Sequence, residues 1–381
     1  MIKSLPQGFK DYLLSHQEEL QQLIFSLCTI SAPSHDELEK ATFCKNWLEQ
    51  AGAQGVILDD AWNVIYPYGC AGKDGVVVFA AHTDTVFPKE TPLAVTVDGD
   101  WAACPGIGDD SANVAILLMC ARYVLQNKLE TGDHGILFVC DSGEEGLGNL
   151  KGARKIMETY GYAVKAYIAV DGSYPNLVDT AVGSTRYKLT LKTEGGHSYG
   201  AFGSRNAIQR LAAMIQKLYA VEVPRRGSSK TTYNVGVISG GTSVNTIAQE
   251  VSMLYEYRSD DEWCLEQMKR AFDQIVRETR GDCLDLQVEV LGQRPCGNID
   301  PELQKGFSDH MLDVVASVTG ERGKANSGST DCNIPLSMGI PAVSLGGYKG
   351  KGTHTREEKI DLTSLVTGSQ VVAAAICQYL K

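Results

Sequence analysis

Three short, unbroken apolar runs constrain this chain more than anything else in it: Gly75-Val-Val-Val-Phe-Ala-Ala81, Gly135-Ile-Leu-Phe-Val-Cys140 and Ala166-Tyr-Ile-Ala-Val170. A strand with one wet face alternates polar and apolar residues. A run without alternation suits a strand covered by helices on both sides. Helical spacing surrounds these runs, with Leu13, Leu20, Leu23, Ile24 and Leu27 before them and Ala112 to Leu125 between the first two. Ser34 is placed to cap a helix running through Trp47. Strands alternating with helices imply an α/β fold with a mostly parallel sheet.

The texture changes near residue 183. Tyr187-Lys-Leu-Thr-Leu-Lys-Thr193, Tyr233 to Ser239 and Glu250 to Tyr257 all alternate, as strands with one exposed face do. Helices are expected from about Asn206 to Leu218 and around Asp260 to Arg280, with a last strand at Leu284 to Val290. Strand-helix-strand-strand-helix-strand is a small α+β, ferredoxin-like pattern. After Pro295 the first texture returns, with a strand at Val343 and a final helix from about Leu362 to Leu380. The 381 residues therefore read as two domains, 1–182 with 294–381 and an inserted 183–293. No internal repeat or low-complexity segment interrupts them.

A hydrophobic share of 43% and a charged share of 21% describe a globular chain with ample core. Its net charge of −11 repels phosphate backbones and anionic lipid, so neither nucleic acid nor a membrane is an expected partner. No sustained apolar run opens the sequence and no stretch of about 18 apolar residues occurs, so neither a secretory leader nor a spanning helix is expected. The eleven cysteines are scattered, odd in number and never spaced Cys-x-x-Cys. They read as small buried thiols of a reducing compartment, the cytoplasm.

Chemistry-bearing residues gather at the ends of the buried runs. His82 and Asp84 follow the first, and period-two geometry puts them on one side of the chain. A carboxylate so placed fixes the tautomer of a metal-bound imidazole. Asp109 and Asp110 stand at a strand-to-helix corner, where two adjacent carboxylates repel unless a cation neutralises them; acids in a helix's first turn are the other reading. Asp141, Glu144 and Glu145 follow the second run, and Asp171 follows the third. Open α/β sheets place their ligands at such carboxyl ends. His354, in Gly352-Thr-His-Thr-Arg, is one of only seven histidines.

His-x-Asp, Gly-x-x-Asp-Asp, Glu-Glu, Asp-Gly and a late Gly-x-His, in that order, resemble the co-catalytic zinc metallopeptidases. That family includes peptidase T, carnosinase-type dipeptidases, bacterial glutamate carboxypeptidases, aminoacylase and acetylornithine deacetylase, and peptidase T-like members are the most similar. The resemblance runs along nearly the whole chain. It implies two divalent ions, zinc foremost with cobalt or manganese as alternatives, bridged by Asp109. His82 and Asp171 would hold one ion, Glu145 and His354 the other, with Asp84 orienting His82 and Glu144 acting as general base. The small domain would be a lid and dimerisation domain, with His197 stabilising the oxyanion, often across a homodimer interface. Asn245 and Arg258 resemble the family's substrate-binding residues, the latter suited to a carboxylate. Members often carry Lys after the bridging segment where this chain has Asp110-Ser111, although peptidase T-like members also show Asp-Asp there.

The implied activity is aminopeptidase cleavage of di- and tripeptides, supported by Asp at position 171 and by Gly328-Ser-Thr-Asp331. N-acyl amino acid deacylation or carboxypeptidase action on the same scaffold is the alternative. A serine hydrolase is the remote one, because Gly196-His-Ser198-Tyr-Gly200 satisfies the nucleophile-elbow pattern.

Overall fold

The computed structural model describes residues 2–381 and divides them into two compact units, 2–181 with 298–381 and 182–297. The larger unit is built on an eight-stranded sheet. Its order is Ile57–Leu58, Val64–Tyr68, Gly135–Asp141, Val76–His82, Val164–Val170, Ala342–Leu345, Leu177–Ala181 and Ala325–Gly328. The four strands from Gly135–Asp141 to Ala342–Leu345 run parallel, as the unbroken apolar runs require. Antiparallel strands flank them, giving a mixed α/β sheet.

Val76–His82 shows why alternation is missing from its sequence. Val77, Phe79 and Ala81 point into one core, with helices Gln17–Cys28, Asn113–Gln126 and Leu365–Cys377. Val76, Val78 and Ala80 point into a second core, beneath Lys151–Tyr160 and Asn333–Ser337. Both faces are dry, so both must be apolar. A small antiparallel sheet completes the unit, in the order Gly350–Lys351, Lys359–Asp361, Trp101–Ala103, Thr96–Asp98.

The smaller unit carries a four-stranded antiparallel sheet ordered Thr231–Gly240, Glu250–Ser259, Gly183–Lys192, Asp285–Arg294. Helices Ala207–Tyr219 and Glu262–Arg280 cover one face. Phe272 anchors that core, stacked on Tyr187 at 4.2 Å and Tyr255 at 5.5 Å between ring centroids. The cap positions are chemically explicit. Asn206 accepts from the amides of Ile208 and Gln209, and Asp261 from that of Cys264.

Two local expectations are corrected. Ser34 caps no helix: the helix is Leu38–Gln50, and the Ser34 hydroxyl instead donates to Asp84 Oδ2 at 2.6 Å. Asp109 and Asp110 lie in an irregular turn, with φ/ψ of −101/88 and −128/20, and the regular helix begins only at Asn113. They are not first-turn acids at a helix terminus. All eleven cysteines are free thiols, ten of them buried. Among the described residues no helix is long and apolar enough to cross a membrane.

Candidate metal centre

The carboxyl edge of the parallel sheet assembles the site. Ala80 pairs with Ala169 in register, which brings His82 level with Asp171 two residues later. His82 itself pairs with Asp141 at the end of the neighbouring strand, so the loop carrying Glu144 and Glu145 starts beside it. Ligand atoms of His82, Asp109, Asp110 and Asp171 lie within 4.8 Å of one another, as do those of Asp109, Glu145 and His354. Glu144 belongs to a third such group with His82 and Glu145. The five residues expected to hold metal are thus brought together, with the expected base beside them.

Asp109 is the centre. His82 Nε2 faces its Oδ1 at 3.0 Å, and His354 Nε2 faces its Oδ2 at 3.1 Å and Glu145 Oε1 at 2.8 Å. One carboxylate thus presents its two oxygens to two different imidazoles, as a carboxylate bridging two cations does. Nitrogen and oxygen donors of this kind fit borderline divalent ions.

Charge and burial pull hard on these groups. Burial pushes Asp109 upward, but bonds to His354 and His82 outweigh it and hold the carboxyl below its usual range. Burial pushes Asp171 up to about 6, with Asp109 adding repulsion. Burial also pushes Asp110 well above an ordinary carboxylate. It lowers His82, yet Asp110, Asp109 and Asp84 together carry that imidazole well above its usual value. Hydrogen bonds to Asp109 and Glu145 raise His354 to about 10. The site is therefore a crowd of acids whose repulsion is relieved by protons on the two histidines, charge that divalent cations would supply when bound.

Asp84 does more than expected. His82 Nδ1 lies 3.1 Å from the Asp84 main-chain oxygen and 3.4 Å from its carboxylate. That fully buried carboxylate accepts the amides of Glu144 (2.9 Å) and Glu145 (3.0 Å) and the Ser34 hydroxyl. It therefore anchors the acidic loop as well as flanking the histidine.

Two buried groups carry no signal in the linear pattern. Lys40 reads as a surface residue of an amphipathic helix, yet it is 1% exposed and reaches Ser111 Oγ at 3.4 Å. Burial pushes its ammonium below the usual lysine value, against the raising effect of Cys28, Cys44, Asp84 and Asp110. Glu358 reads as part of the charged run Arg356-Glu-Glu-Lys359, yet it is 2% exposed and accepts the amides of Gly106, Gly108 and Asp109. Burial and the Asp109 charge raise it to about 7, against the lowering effect of those amides.

The remaining expected residues belong to the smaller unit. A two-stranded ribbon pairs His197 with Thr246, and the Ser198 amide donates to the Asn245 carbonyl at 3.0 Å, so His197 and Asn245 are neighbours. His197 Nδ1 accepts from the amides of Tyr199 and Gly200, at 3.3 and 3.2 Å, which leaves the proton on Nε2, free to donate. Arg258 lies opposite Ser184 on the sheet, and its Nε and that of Arg186 each sit 3.2 Å from Glu256. No nucleophile elbow forms at Ser198: turns follow it, and the helix begins only at Ala207.

The sequence profile of peptidase family M20/M25/M40 matches residues 78–378. The chain is 26% identical over 333 residues to the uncharacterized protein YqjE of Bacillus subtilis, covering 83% of this chain and 84% of that one. It is 23% identical over 360 residues to the succinyl-diaminopimelate desuccinylase of Corynebacterium glutamicum, covering 93% and 94%. The crystal structure of aminopeptidase PepT from Bacillus cereus superposes with a TM-score of 0.70 at 24% identity, covering 94% of this chain and 98% of PepT. With a matching profile across most of its length, a shared fold and a candidate two-metal cluster at the sheet edge, this chain belongs to peptidase family M20/M25/M40, a family of metallopeptidases.

Proposed function

We propose that the protein is a two-metal aminopeptidase of the peptidase T type that releases N-terminal residues from di- and tripeptides. The observation that carries this reading is Asp109, whose two oxygens face His82 and His354 separately. In the reading, His82 and Asp171 would hold one ion and Glu145 and His354 the other, with Asp109 serving both. Zinc is the proposed metal, with cobalt or manganese able to replace it. Such ions would lower the pKa of a bound water and polarise the scissile carbonyl.

The chain's own groups do the rest. Glu144 takes the proton of the attacking water and passes it to the leaving amine. His197 offers its Nε2–H to the developing oxyanion. Asn245 and Arg258 grip the substrate, Arg258 through its terminal carboxylate. A homodimer accompanies this reading. The edge strand Thr231–Gly240 supports it, with Val237 and Ile238 half exposed. Eleven free thiols support a cytoplasmic setting.

N-acyl amino acid deacylation is the second reading, supported by the likeness to a desuccinylase. The decisive assay compares free and N-acetylated tripeptides with metal-supplemented protein. Release only from the free amine is the expected result; release only from acylated substrates transfers the assignment to a deacylase. Chelation should abolish either activity, and activity that survives a chelator but not a serine-directed phosphonate would return Ser198 to consideration.

A further inference from the structure

We propose that Glu358 is a positioning residue that locks together the two loops that supply Asp109 and His354, and so sets affinity chiefly at one of the two metal positions. The inference rests on the two-metal reading. The loop Gly106-Ile-Gly108-Asp109 turns tightly, with φ of +74 at Gly106. A Cβ at Gly106 would meet Thr85 Cγ2 at 2.8 Å, and one at Gly108 would meet the Tyr348 ring at 2.7 Å. Glycine at both positions lets the turn close with its amides converging on one point.

Glu358 fills that point. Its Oε2 accepts from Gly106 N at 3.0 Å, and its Oε1 from Gly108 N at 2.9 Å and Asp109 N at 2.8 Å. The main chain adds a further tie, Cys104 N to Glu358 O at 3.2 Å, where Lys359–Asp361 pairs with Trp101–Ala103. Only three residues separate Glu358 from His354, and the Thr355–Glu358 turn is closed by its own hydrogen bond. One buried carboxylate therefore fixes the main chain of the bridging aspartate to the loop of the histidine that faces it.

The two metal positions depend on this clamp unequally. His82 and Asp171 are held by the ends of adjacent sheet strands, which Glu358 does not touch. Glu145 is anchored through Asp84, but His354 stands in a loop with φ of +65 and its side chain half exposed. Loss of Glu358 should therefore loosen the Asp109–Glu145–His354 position most, and the His82–Asp171 position less, because there Asp109 is joined by two ligands fixed at strand ends.

The test is a calorimetric titration of the chelator-stripped full chain with Zn2+, comparing wild type, Glu358→Gln and Glu358→Ala. Gln keeps the shape but turns its carboxamide NH2, itself a donor, toward a backbone amide donor; Ala empties the pocket. In both variants one binding step should weaken about 10–100-fold, the range for outer-shell partners of metal ligands, while the other weakens clearly less. Formate, which can refill the pocket among the three amides, should restore the weakened step in Glu358→Ala and leave wild type unaffected. Equal weakening of both steps, no weakening, or failure of formate to rescue would overturn the clamp. If Glu358→Ala does not fold, the Gln variant decides alone by its two steps. A wild-type protein that takes up no ion would overturn the two-metal reading first, an outcome separable from the others.

Discussion

Asp109 lies partly buried between two histidines, and that pairing helps hold both imidazoles protonated. His354 is raised to about 10 by its bonds to Asp109 and Glu145, so at pH 7 without metal it carries a proton. A metal ion must displace that proton. Ion uptake should therefore release protons at neutral pH, and apparent affinity should climb as pH rises, until His354 has titrated near 10. Titrating Zn2+ into weakly buffered, metal-free protein with a pH indicator measures this directly; uptake without acidification would mean that His354 enters no metal sphere. Most residues of this cluster could be read from the sequence because each follows an apolar run, where strand geometry aims side chains at a common edge. Lys40 and Glu358 could not, because neither sits at a strand end. Their burial depends on partners, Ser111 and the Gly106–Asp109 amides, that are remote in sequence.

Among the elements, the central parallel strands and the alternating strands of the smaller unit follow their sequence patterns closely, and the misses have local causes. Ser34 looks like a cap, but a side chain that can bond an amide can equally bond a carboxylate, and Asp84 is the partner it meets. Leu177–Ala181 and Ala325–Gly328 carry no strong apolar signal because they lie toward the edge of the sheet. The smaller unit's core depends on Phe272, fully buried against Tyr187, Tyr255 and Tyr257. Phe272→Ala should cost about 3–5 kcal/mol, the usual penalty for emptying such a site. Denaturant unfolding followed by tyrosine fluorescence would register the loss. A cost below about 1 kcal/mol would show that this core collapses around the gap.

For the whole molecule, the proposed reaction draws residues from both units: metal ligands and Glu144 from the larger, His197, Asn245 and Arg258 from the smaller. If His197 serves the partner subunit of a homodimer, two crippled proteins should complement each other. Glu144→Ala is expected to keep its metal and lose about 10²–10⁴-fold in kcat. Mixed with His197→Ala under conditions of subunit exchange, it should recover activity through a hybrid site carrying both intact residues. Absence of recovery, with exchange verified by mass, would assign His197 to its own subunit's chemistry or remove it from catalysis.

Sequence alone determined the α/β class, the inserted α+β segment and the acids and histidines that close the apolar strands, because strand and helix periods and strand-end placement are local properties. Only the tertiary structure decided that Asp109 divides its oxygens between two histidines, that Asp84 holds the acidic loop and that Glu358 clamps the bridging turn. Those facts rest on hydrogen bonds between segments far apart in the chain. A carboxylate bonds whichever donor the fold brings within about 3 Å, and no periodicity in the sequence records which one that will be.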